Sequence, residues 1–245
     1  FIYSKNNIMN VLNEYSQIKE VAIRSPLNSF IDDNKLSSEW EALRFHSKPD
    51  FKEAINEYTY FRSLLEDDGI SIIDLPSSEL LTIDSIYTRD SILITKEGLI
   101  LCNMGRSSRT PEAKENFNTL SSKGYKIAGQ IKAPGTLEGG DFIWIDDHHA
   151  AVGLGPRTNA EGIRQLKEIL GSSVELHVVN LPQPSHPNDV LHLMSIISPL
   201  DMDLALIYKP FMPDSFISWL LKLGLKFIEV SEKEYTLMGC NVLAT

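Results

Sequence analysis

Hydrophobic and polar positions along the chain follow a repeating order. Two short runs rich in Ile, Leu and Val are separated by turn residues, and a stretch that opens on Pro or Asn then leads to another apolar run. Apolar runs of this length around a turn are typical of a strand hairpin, and Pro and Asn suit the first positions of a helix. The pattern therefore predicts a repeated ββαβ unit.

Three copies of this unit are complete. The strand, strand, helix and strand are predicted at 91–95, 99–103, 111–122 and 126–131, then at 142–145, 150–153, 159–170 and 174–179, and then at 193–198, 204–208, 213–223 and 226–230. The positions that open successive copies are Asp90, Asp141, His192 and Cys240, so the steps between them are 51, 51 and 48 residues. Units of similar length without long linkers imply one domain over 1–245, with its units arranged about an axis.

The units at the two ends are incomplete. A unit predicted at 21–24, 51–65 and 70–75 has no first strand of its own, and the copy that opens at Cys240 has only its first strand, at 241–244. About 50 further residues, one more repeat, would supply both missing parts, with the last strand beside Val21 closing a ring. We therefore expect the domain to be truncated at its C-terminus. The alternative is that one hairpin is simply absent.

Composition narrows the classes of partner. The chain has 245 residues and a formal net charge of −10, without a basic arm or patch. We therefore expect neither nucleic acid nor a membrane surface as a partner. The two cysteines, Cys102 and Cys240, are too few for a disulfide framework, which favours a reducing, cytoplasmic location. No apolar stretch approaches the length of a membrane span.

Functional side chains stand at the positions that open the units. If the units surround an axis, Asp90, Asp141 and His192 come from equivalent points and meet in one place, with Glu138 close to Asp141. Paired carboxylates can accept the N–H groups of a planar cation, and an imidazole transfers protons near neutral pH. The pattern thus predicts a pocket for a cationic substrate.

Each of these residues also has a structural interpretation. Asp90 could cap the chain locally or pair with Arg89, and the segment from Glu138 to Asp141 could be an acidic turn before a strand. His192 could be a core histidine bonded to the backbone, since buried polar groups are often structural. Their recurrence at one phase of the repeat favours the functional interpretation.

Several motifs resemble those of a known family. The chain from about Val21 onward resembles the dimethylarginine dimethylaminohydrolase and amidinotransferase family, within the guanidine-modifying superfamily. The resemblance implies the five-bladed α/β propeller called the pentein fold, with the last unit and the closing strand missing here. The motifs are Tyr87-Thr-Arg-Asp90, Gly105-Arg-Ser-Ser-Arg109, Gly135-Thr-Leu-Glu-Gly-Gly-Asp141, Arg157-Thr-Asn-Ala-Glu-Gly162, Leu191-His-Leu-Met-Ser195 and Gly239-Cys-Asn-Val-Leu-Ala244.

The resemblance also implies roles for individual residues. His192 would be the general acid and base, and Glu138 would contact the substrate or orient the histidine. Asp90 would hold the guanidinium, and two arginines would bind the amino-acid end of the substrate, a contact that suits the bidentate guanidinium group. The predicted substrate-binding residues are Asp84, Asp90, Asp141, Arg109 and Arg157.

One departure from the family's pattern narrows the choice of branch. Arginine deiminases and glycine amidinotransferases carry an acid two residues after the histidine, where this chain has Met194. The dimethylarginine hydrolases lack that acid. The resemblance therefore favours the hydrolase branch, with an apolar contact that tolerates methyl groups.

The implied reaction needs a nucleophile that this sequence does not supply. In the family a cysteine thiolate attacks the guanidinium carbon, and that cysteine lies in a Gly-rich segment near the C-terminus, which nothing in this chain matches. Free cysteines are usually buried small apolar residues, so Cys102 and Cys240 are predicted to be structural. The nucleophile is expected beyond residue 245, and the chain as given is expected to be inactive.

The expected function is hydrolysis of the guanidinium of arginine or a methylated arginine, without a metal or cofactor. An amidinotransferase, an arginine deiminase, or a non-catalytic binding protein on the same ring, such as the ribosome-binding initiation factor of this fold, are the alternatives. The expected partner is a small guanidine substrate, and a homodimer is left open. An insertion at 27–48 is expected to act as a lid.

Overall fold

The computed structural model describes residues 12–182 and 191–244. Among its helices, none combines the length and hydrophobicity that a membrane crossing needs. The strands are β1 Glu20–Ile23, β2 Ser71–Asp74, β3 Ile92–Thr95, β4 Gly98–Leu101, β5 Ile127–Gln130, β6 Phe142–Asp146, β7 His149–Leu154, β8 Glu175–Asn180, β9 Ile197–Asp201, β10 Leu204–Ile207 and β11 Lys226–Glu229. The α-helices are α1 Pro26–Ser29, α2 Asp33–Glu39, α3 Phe51–Asp67, α4 Glu112–Ser122, α5 Ala160–Leu170, α6 Asp214–Lys222 and α7 Glu232–Tyr235.

The second, third and fourth units share one topology. In each, the middle strand pairs antiparallel with the first strand and parallel with the last, which gives the sheets β3-β4-β5, β6-β7-β8 and β9-β10-β11. A helix connects the two parallel strands of each sheet, as a parallel pair requires a crossover. The ββαβ units predicted from the pattern are confirmed.

The first unit has two strands. β1 pairs parallel with β2, like the second and third strands of the complete units, and no strand of the described residues lies along the other edge of β1. Residues 241–244 do not form the predicted strand, although Leu243 packs against the apolar cluster that contains Val21 and Ile23. No sheet closes on itself within 12–182 and 191–244. The five-bladed propeller therefore stays a prediction.

The start of the fourth unit differs from the predicted strand at 193–198. Leu193–Ser195 is a turn of 3-10 helix, and β9 begins only at Ile197. The backbone N–H of Leu193 donates to a carboxylate oxygen of Asp141 at 3.2 Å, and the N–H of Ile196 donates back to the carbonyl of Leu193. Because Asp141 of the neighbouring unit accepts the backbone N–H of Leu193, that N–H is not available to a strand. The chain forms a turn first and the strand begins after it.

Apolar side chains fill the space between neighbouring sheets. One buried cluster contains Ile143 of the third unit with Ile197 and Phe216 of the fourth. Another joins Ile100 of the second unit to Phe142 of the third. The strands β6 and β7 are nearly continuous apolar runs, which fits strands covered on both faces. This packing fixes the units against one another and so sets the relative positions of their opening residues.

Candidate active site

Three short turns of 3-10 helix carry the residues that open the units. Asp90, Asp141 and His192 each lie in or cap such a turn, directly before the first strand of a unit. The turn that carries Asp141 packs against the other two. The positions that the repeat identifies as equivalent are therefore brought together. The turns are Thr88–Ser91, Gly139–Asp141 and Leu193–Ser195.

Asp90 is a carboxylate held from two sides. Its Oδ1 accepts the backbone N–H of Gly140 at 3.0 Å, and its Oδ2 accepts Nη1 of Arg109 at 2.7 Å. A Cβ on Gly140 would lie 2.9 Å from Oδ1, so glycine permits this close approach. Burial works against the charged form, but the charges of His192 and Arg109 and both hydrogen bonds outweigh it and lower the pKa of Asp90. Asp90 is therefore an anion at neutral pH.

Glu138 adds a second carboxylate, which is fully buried. Its Oε1 accepts the backbone N–H of Arg106 and Nη1 of Arg157, each at 3.2 Å. Its Oε2 lies 3.5 Å from Nε2 of His192 and accepts no hydrogen bond from the described residues. A buried carboxylate oxygen without a donor is costly, so this atom is suited to a donor that a ligand brings.

His192 is oriented by Asp141. Nδ1 of the ring lies 3.1 Å from Oδ1 of Asp141, which leaves Nε2 on the side of Glu138. Burial alone would lower the pKa of His192, but the hydrogen bond and charge of Asp141 and the charges of Asp90 and Glu138 raise it to about 9. The ring is therefore an imidazolium at neutral pH, ready to donate a proton.

The sequence predicts Asp141 as a substrate ligand, and this role stays a prediction. The carboxylate is buried, and while Oδ1 faces His192, Oδ2 accepts the hydroxyl of Thr158 at 2.7 Å. Both oxygens are thus used inside the protein. Asp141 positions the histidine.

Arg109 likewise has protein partners where a substrate contact is predicted. Its side chain is 5% exposed, and Nε and Nη2 donate to the two carboxylate oxygens of Glu112 at 2.8 and 2.9 Å. Nη1 donates to Asp90. Glu112 thus takes the bidentate edge that a substrate carboxylate would use, and the predicted substrate contact of Arg109 stays a prediction. Glu112 is absent from the sequence-based prediction.

A cavity of about 1380 Å³ opens over these groups. Asp90, Glu138 and His192 line it, as does Phe45 of the insertion. One ligand atom from each of Asp90, Glu138 and His192 lies within 4.8 Å of the others, a spacing that fits a metal ion or the N–H edge of an organic cation. The polar groups of the site therefore converge on one place in the cavity.

The profile of the family described as "N,N dimethylarginine dimethylhydrolase, eukaryotic" matches residues 31–245. The chain belongs to this dimethylarginine dimethylaminohydrolase family. The family resemblance predicted from the motifs is thereby confirmed.

Relatives in sequence and structure agree with the family. The N(G),N(G)-dimethylarginine dimethylaminohydrolase of Pseudomonas aeruginosa is 31% identical over 167 residues, which cover 66% of this chain and 62% of the bacterial protein. The sequence alignment thus spans less than two thirds of that relative's length. A solved dimethylarginine dimethylaminohydrolase, as an adduct with 4-chloro-2-hydroxymethylpyridine, has a TM-score of 0.69 at 27% identity, over 91% of this chain and 79% of the other. The Pseudomonas aeruginosa enzyme, as a Cys-to-Ser mutant complexed with citrulline, has a TM-score of 0.65 at 25% identity, over 90% and 94%.

Two arginines that contact Glu138 also line the cavity of this family member. Arg157, predicted from the sequence, is 16% exposed and contacts Glu138. Arg106, not predicted, is 19% exposed, and its Nη1 donates to Oδ2 of Asp84 at 2.7 Å and to the carbonyl of Leu43 at 2.9 Å. Asp84 lines the cavity, and within the described residues its carboxylate bonds to Arg106 and not to Asp90, Glu138 or His192. Arg106 stands in the motif Gly105-Arg-Ser-Ser-Arg109, but spacing alone does not show that it lines the cavity together with Arg109.

The two cysteines of this family member are both buried and unpaired. Burial raises the pKa of Cys102 well above its usual range, and the carboxylates of Asp90 and Glu138 raise it further. Burial raises the pKa of Cys240 to about 11. A nucleophilic cysteine needs a thiolate and access to the substrate, so these properties agree with the structural role predicted for both.

Proposed function

We propose that this chain forms the guanidinium pocket and the acid–base centre of an amidinohydrolase that converts arginine or a methylated arginine to citrulline. The observation that carries the proposal is the buried Oε2 of Glu138, which accepts no hydrogen bond from the residues that the structure describes and lies beside Asp90 and His192. A guanidinium is planar and presents N–H groups along each edge, so it can donate to both carboxylates at once. The complex of the Pseudomonas aeruginosa relative with citrulline supports this class of ligand.

In the proposed reaction, a cysteine thiolate attacks the guanidinium carbon, and the bond from that carbon to the leaving amine breaks. Nε2 of His192 gives its proton to the leaving nitrogen, a step for which the pKa of about 9 keeps the ring charged. Water then attacks the carbon of the S-amidino intermediate and the C–S bond breaks. One proton of the water returns to His192, the other goes to solvent, and citrulline leaves from a regenerated thiolate.

We place the nucleophilic cysteine outside these 245 residues. Cys102 and Cys240 are buried, and their raised pKa values disfavour the thiolate. The five-bladed pentein ring belongs to the same proposal. It is supported by the three repeated sheets and by the free edge that β1 has within the described residues.

Product analysis tests the function. The full-length protein is incubated with arginine, monomethylarginine or asymmetric dimethylarginine, and the products are identified by mass spectrometry. We expect citrulline together with ammonia, methylamine or dimethylamine, and a strong preference for the methylated substrates. Ammonia from unmethylated arginine alone would identify a deiminase, and an amidino group transferred to an added amine would identify a transferase.

Matched variants tie the activity to this site. His192→Gln should abolish citrulline formation, whereas His148→Gln, an exposed histidine that does not line the cavity, should not change it. Chloroacetamidine, which alkylates a thiolate beside a guanidinium pocket, should label one cysteine other than Cys102 and Cys240. Labelling of Cys240 would refute the placement of the nucleophile, and failure to bind any guanidine would favour a protein without this function.

A further inference from the structure

Arg106 occupies a polar subsite next to the guanidinium pocket. One nitrogen, Nη1, donates both to the carboxylate of Asp84 and to the backbone carbonyl of Leu43. A carboxylate and a carbonyl that converge on one point form a receptor for a cationic N–H group. In this chain the cation at that point is part of the protein.

The position of Arg106 places this subsite within reach of a substrate. Its backbone N–H donates to Oε1 of Glu138, so its main chain lies beside the guanidinium pocket. Its side chain extends along the cavity wall to Asp84. Asp84 is 4% exposed, so Arg106 pairs with a buried carboxylate. The backbone of Gly105 packs against that of Arg157, because a Cβ there would lie 2.6 Å from the carbonyl oxygen of Arg157. Two arginines therefore line one part of the wall.

We propose that Arg106 makes this pocket recognise the carboxylate end of its substrate and ignore an α-ammonium group. The inference rests on the proposed function, because it assumes that a guanidinium binds between Asp90 and Glu138. The substrate class is then a guanidino acid, with or without an amino group on its α-carbon. Arg106 and Arg157 supply positive charge for the carboxylate, and Asp84 and the carbonyl of Leu43 are already satisfied.

The physical reason is that an α-ammonium group would gain no net interaction at Asp84. An α-ammonium group that bound Asp84 would have to displace Arg106, and one charge-assisted pair would replace another. The displaced guanidinium would also lose its hydrogen bond to Leu43 in a partly buried site. Removing the α-amino group from the substrate should therefore cost little, whereas removing the carboxylate should cost much.

Three ligands that share one guanidine head group test this inference. They are arginine, 5-guanidinopentanoate, which lacks the α-amino group, and agmatine, which lacks the carboxylate; all three carry an N-methylated head group if that form binds best. Calorimetry measures dissociation constants on the full-length protein. We expect the first two to differ by less than about 3-fold and agmatine to bind at least about 10-fold more weakly, the effect of losing a charge-assisted contact.

Two variants assign the effect to Arg106. In Arg106→Ala the freed Asp84 and Leu43 carbonyl should make arginine bind at least about 10-fold more tightly than 5-guanidinopentanoate. Arg106→Gln, which keeps a donor without the charge, should shift the ratio in the same direction and guards against misfolding of the alanine variant. Arg157→Ala is the matched control, because it removes a cavity arginine without freeing Asp84, so it should weaken both acids equally.

The outcomes separate this inference from the proposed function. A wild-type protein that strongly prefers arginine over 5-guanidinopentanoate would overturn the inference while the guanidinium pocket stands. Equal binding of the two acids in both the wild-type protein and Arg106→Ala would overturn the assignment to Arg106. Failure of all three guanidines to bind would overturn both the proposed function and the inference that rests on it.

Discussion

Oδ1 of Asp141 lies 3.1 Å from Nδ1 of His192, so the opening residue of one unit orients the opening residue of the next. The other ring nitrogen is thereby directed to Glu138, whose Oε2 is 3.5 Å away. A histidine held in this way has one fixed orientation and a raised pKa, the two properties that a proton donor to a leaving amine needs. The repeat of the fold thus creates the pairing on which the proposed acid–base chemistry depends.

Replacing Asp141 with Asn should lower the pKa of His192. Asp141 supplies the first of the interactions that raise this pKa to about 9 against the effect of burial. Without its charge, the pKa should fall towards the ordinary value of about 6.5. Activity near pH 7.5 should fall by about 10- to 100-fold, as for other groups that orient a reacting side chain. An NMR titration of the His192 ring measures the shift.

The control for this variant is Asp146→Asn. Asp146 bonds to His149 and does not line the cavity, so its removal should leave the titration of His192 unchanged. If His192 titrates alike in the wild-type protein and in Asp141→Asn, Asp141 does not stabilise the imidazolium and the assigned positioning role is wrong.

The stability of the fold should depend on pH through the same histidine. Its pKa is raised in the folded state, to about 9, above an unfolded value of about 6.5. The stabilising contribution is therefore fully present below about pH 6.5 and is lost as the pH rises through about 9, with a total of about 3 kcal/mol at most. Urea unfolding at about pH 6.5 and pH 9.5 should show this loss in the wild-type protein and a smaller loss in His192→Gln. Parallel pH dependence in both proteins would contradict the linkage.

The repeat and the convergence of the site were open to prediction from the sequence, because both depend on periodic features. Hairpins rich in Ile, Leu and Val recur along the chain, and a polar residue stands at the same position of each repeat, directly before the hairpin. When the units pack around one axis, residues at equivalent positions come close together. The pattern alone predicts that Asp90, Asp141 and His192 meet, and the three turns of 3-10 helix confirm it.

The partners of the charged side chains could not be predicted in the same way. Arg109 turns inward because Glu112, in the first turn of α4, is buried beside it, and Arg106 reaches Asp84 across the cavity wall. Such choices depend on distances of a few ångströms between segments that are remote in sequence. The start of β9 could not be predicted for a similar reason, because the backbone N–H of Leu193 donates to the carboxylate of Asp141 in another unit.

Replacing Arg109 with Lys should destabilise the protein and loosen Asp90. Lys cannot donate to both oxygens of Glu112 and to Asp90 in one plane, so buried carboxylate oxygens lose their donors. We expect a loss of about 2–4 kcal/mol in the free energy of unfolding, together with weaker guanidine binding. Arg164→Lys is the matched control, since this exposed arginine pairs with Glu161 and Glu168 on the surface and its replacement should leave the unfolding midpoint unchanged. Full stability of Arg109→Lys would show that the buried network does not need the guanidinium.

Replacing Gly140 with Ala should damage the site more than the fold. The added Cβ would lie 2.9 Å from Oδ1 of Asp90 and 3.0 Å from Cγ of His192, closer than atoms pack, so one or both side chains must move. Overpacking of this kind costs about 1–3 kcal/mol. A displacement of even part of an ångström at reacting groups lowers activity steeply, so we expect a loss of about 100-fold. Thermal unfolding and turnover are measured on the same preparation.

Gly155→Ala separates this steric effect from the general cost of adding a methyl group to a glycine. A Cβ on Gly155 would meet its nearest neighbour, a methyl carbon of Leu181, at 3.4 Å, which is ordinary packing. That variant should therefore keep both stability and turnover. Equal turnover by Gly140→Ala and Gly155→Ala would contradict this prediction. It would mean that Asp90 and His192 need not lie as close to the backbone of Gly140 as they do in the structure. The close approach of these two units would then have no part in the chemistry.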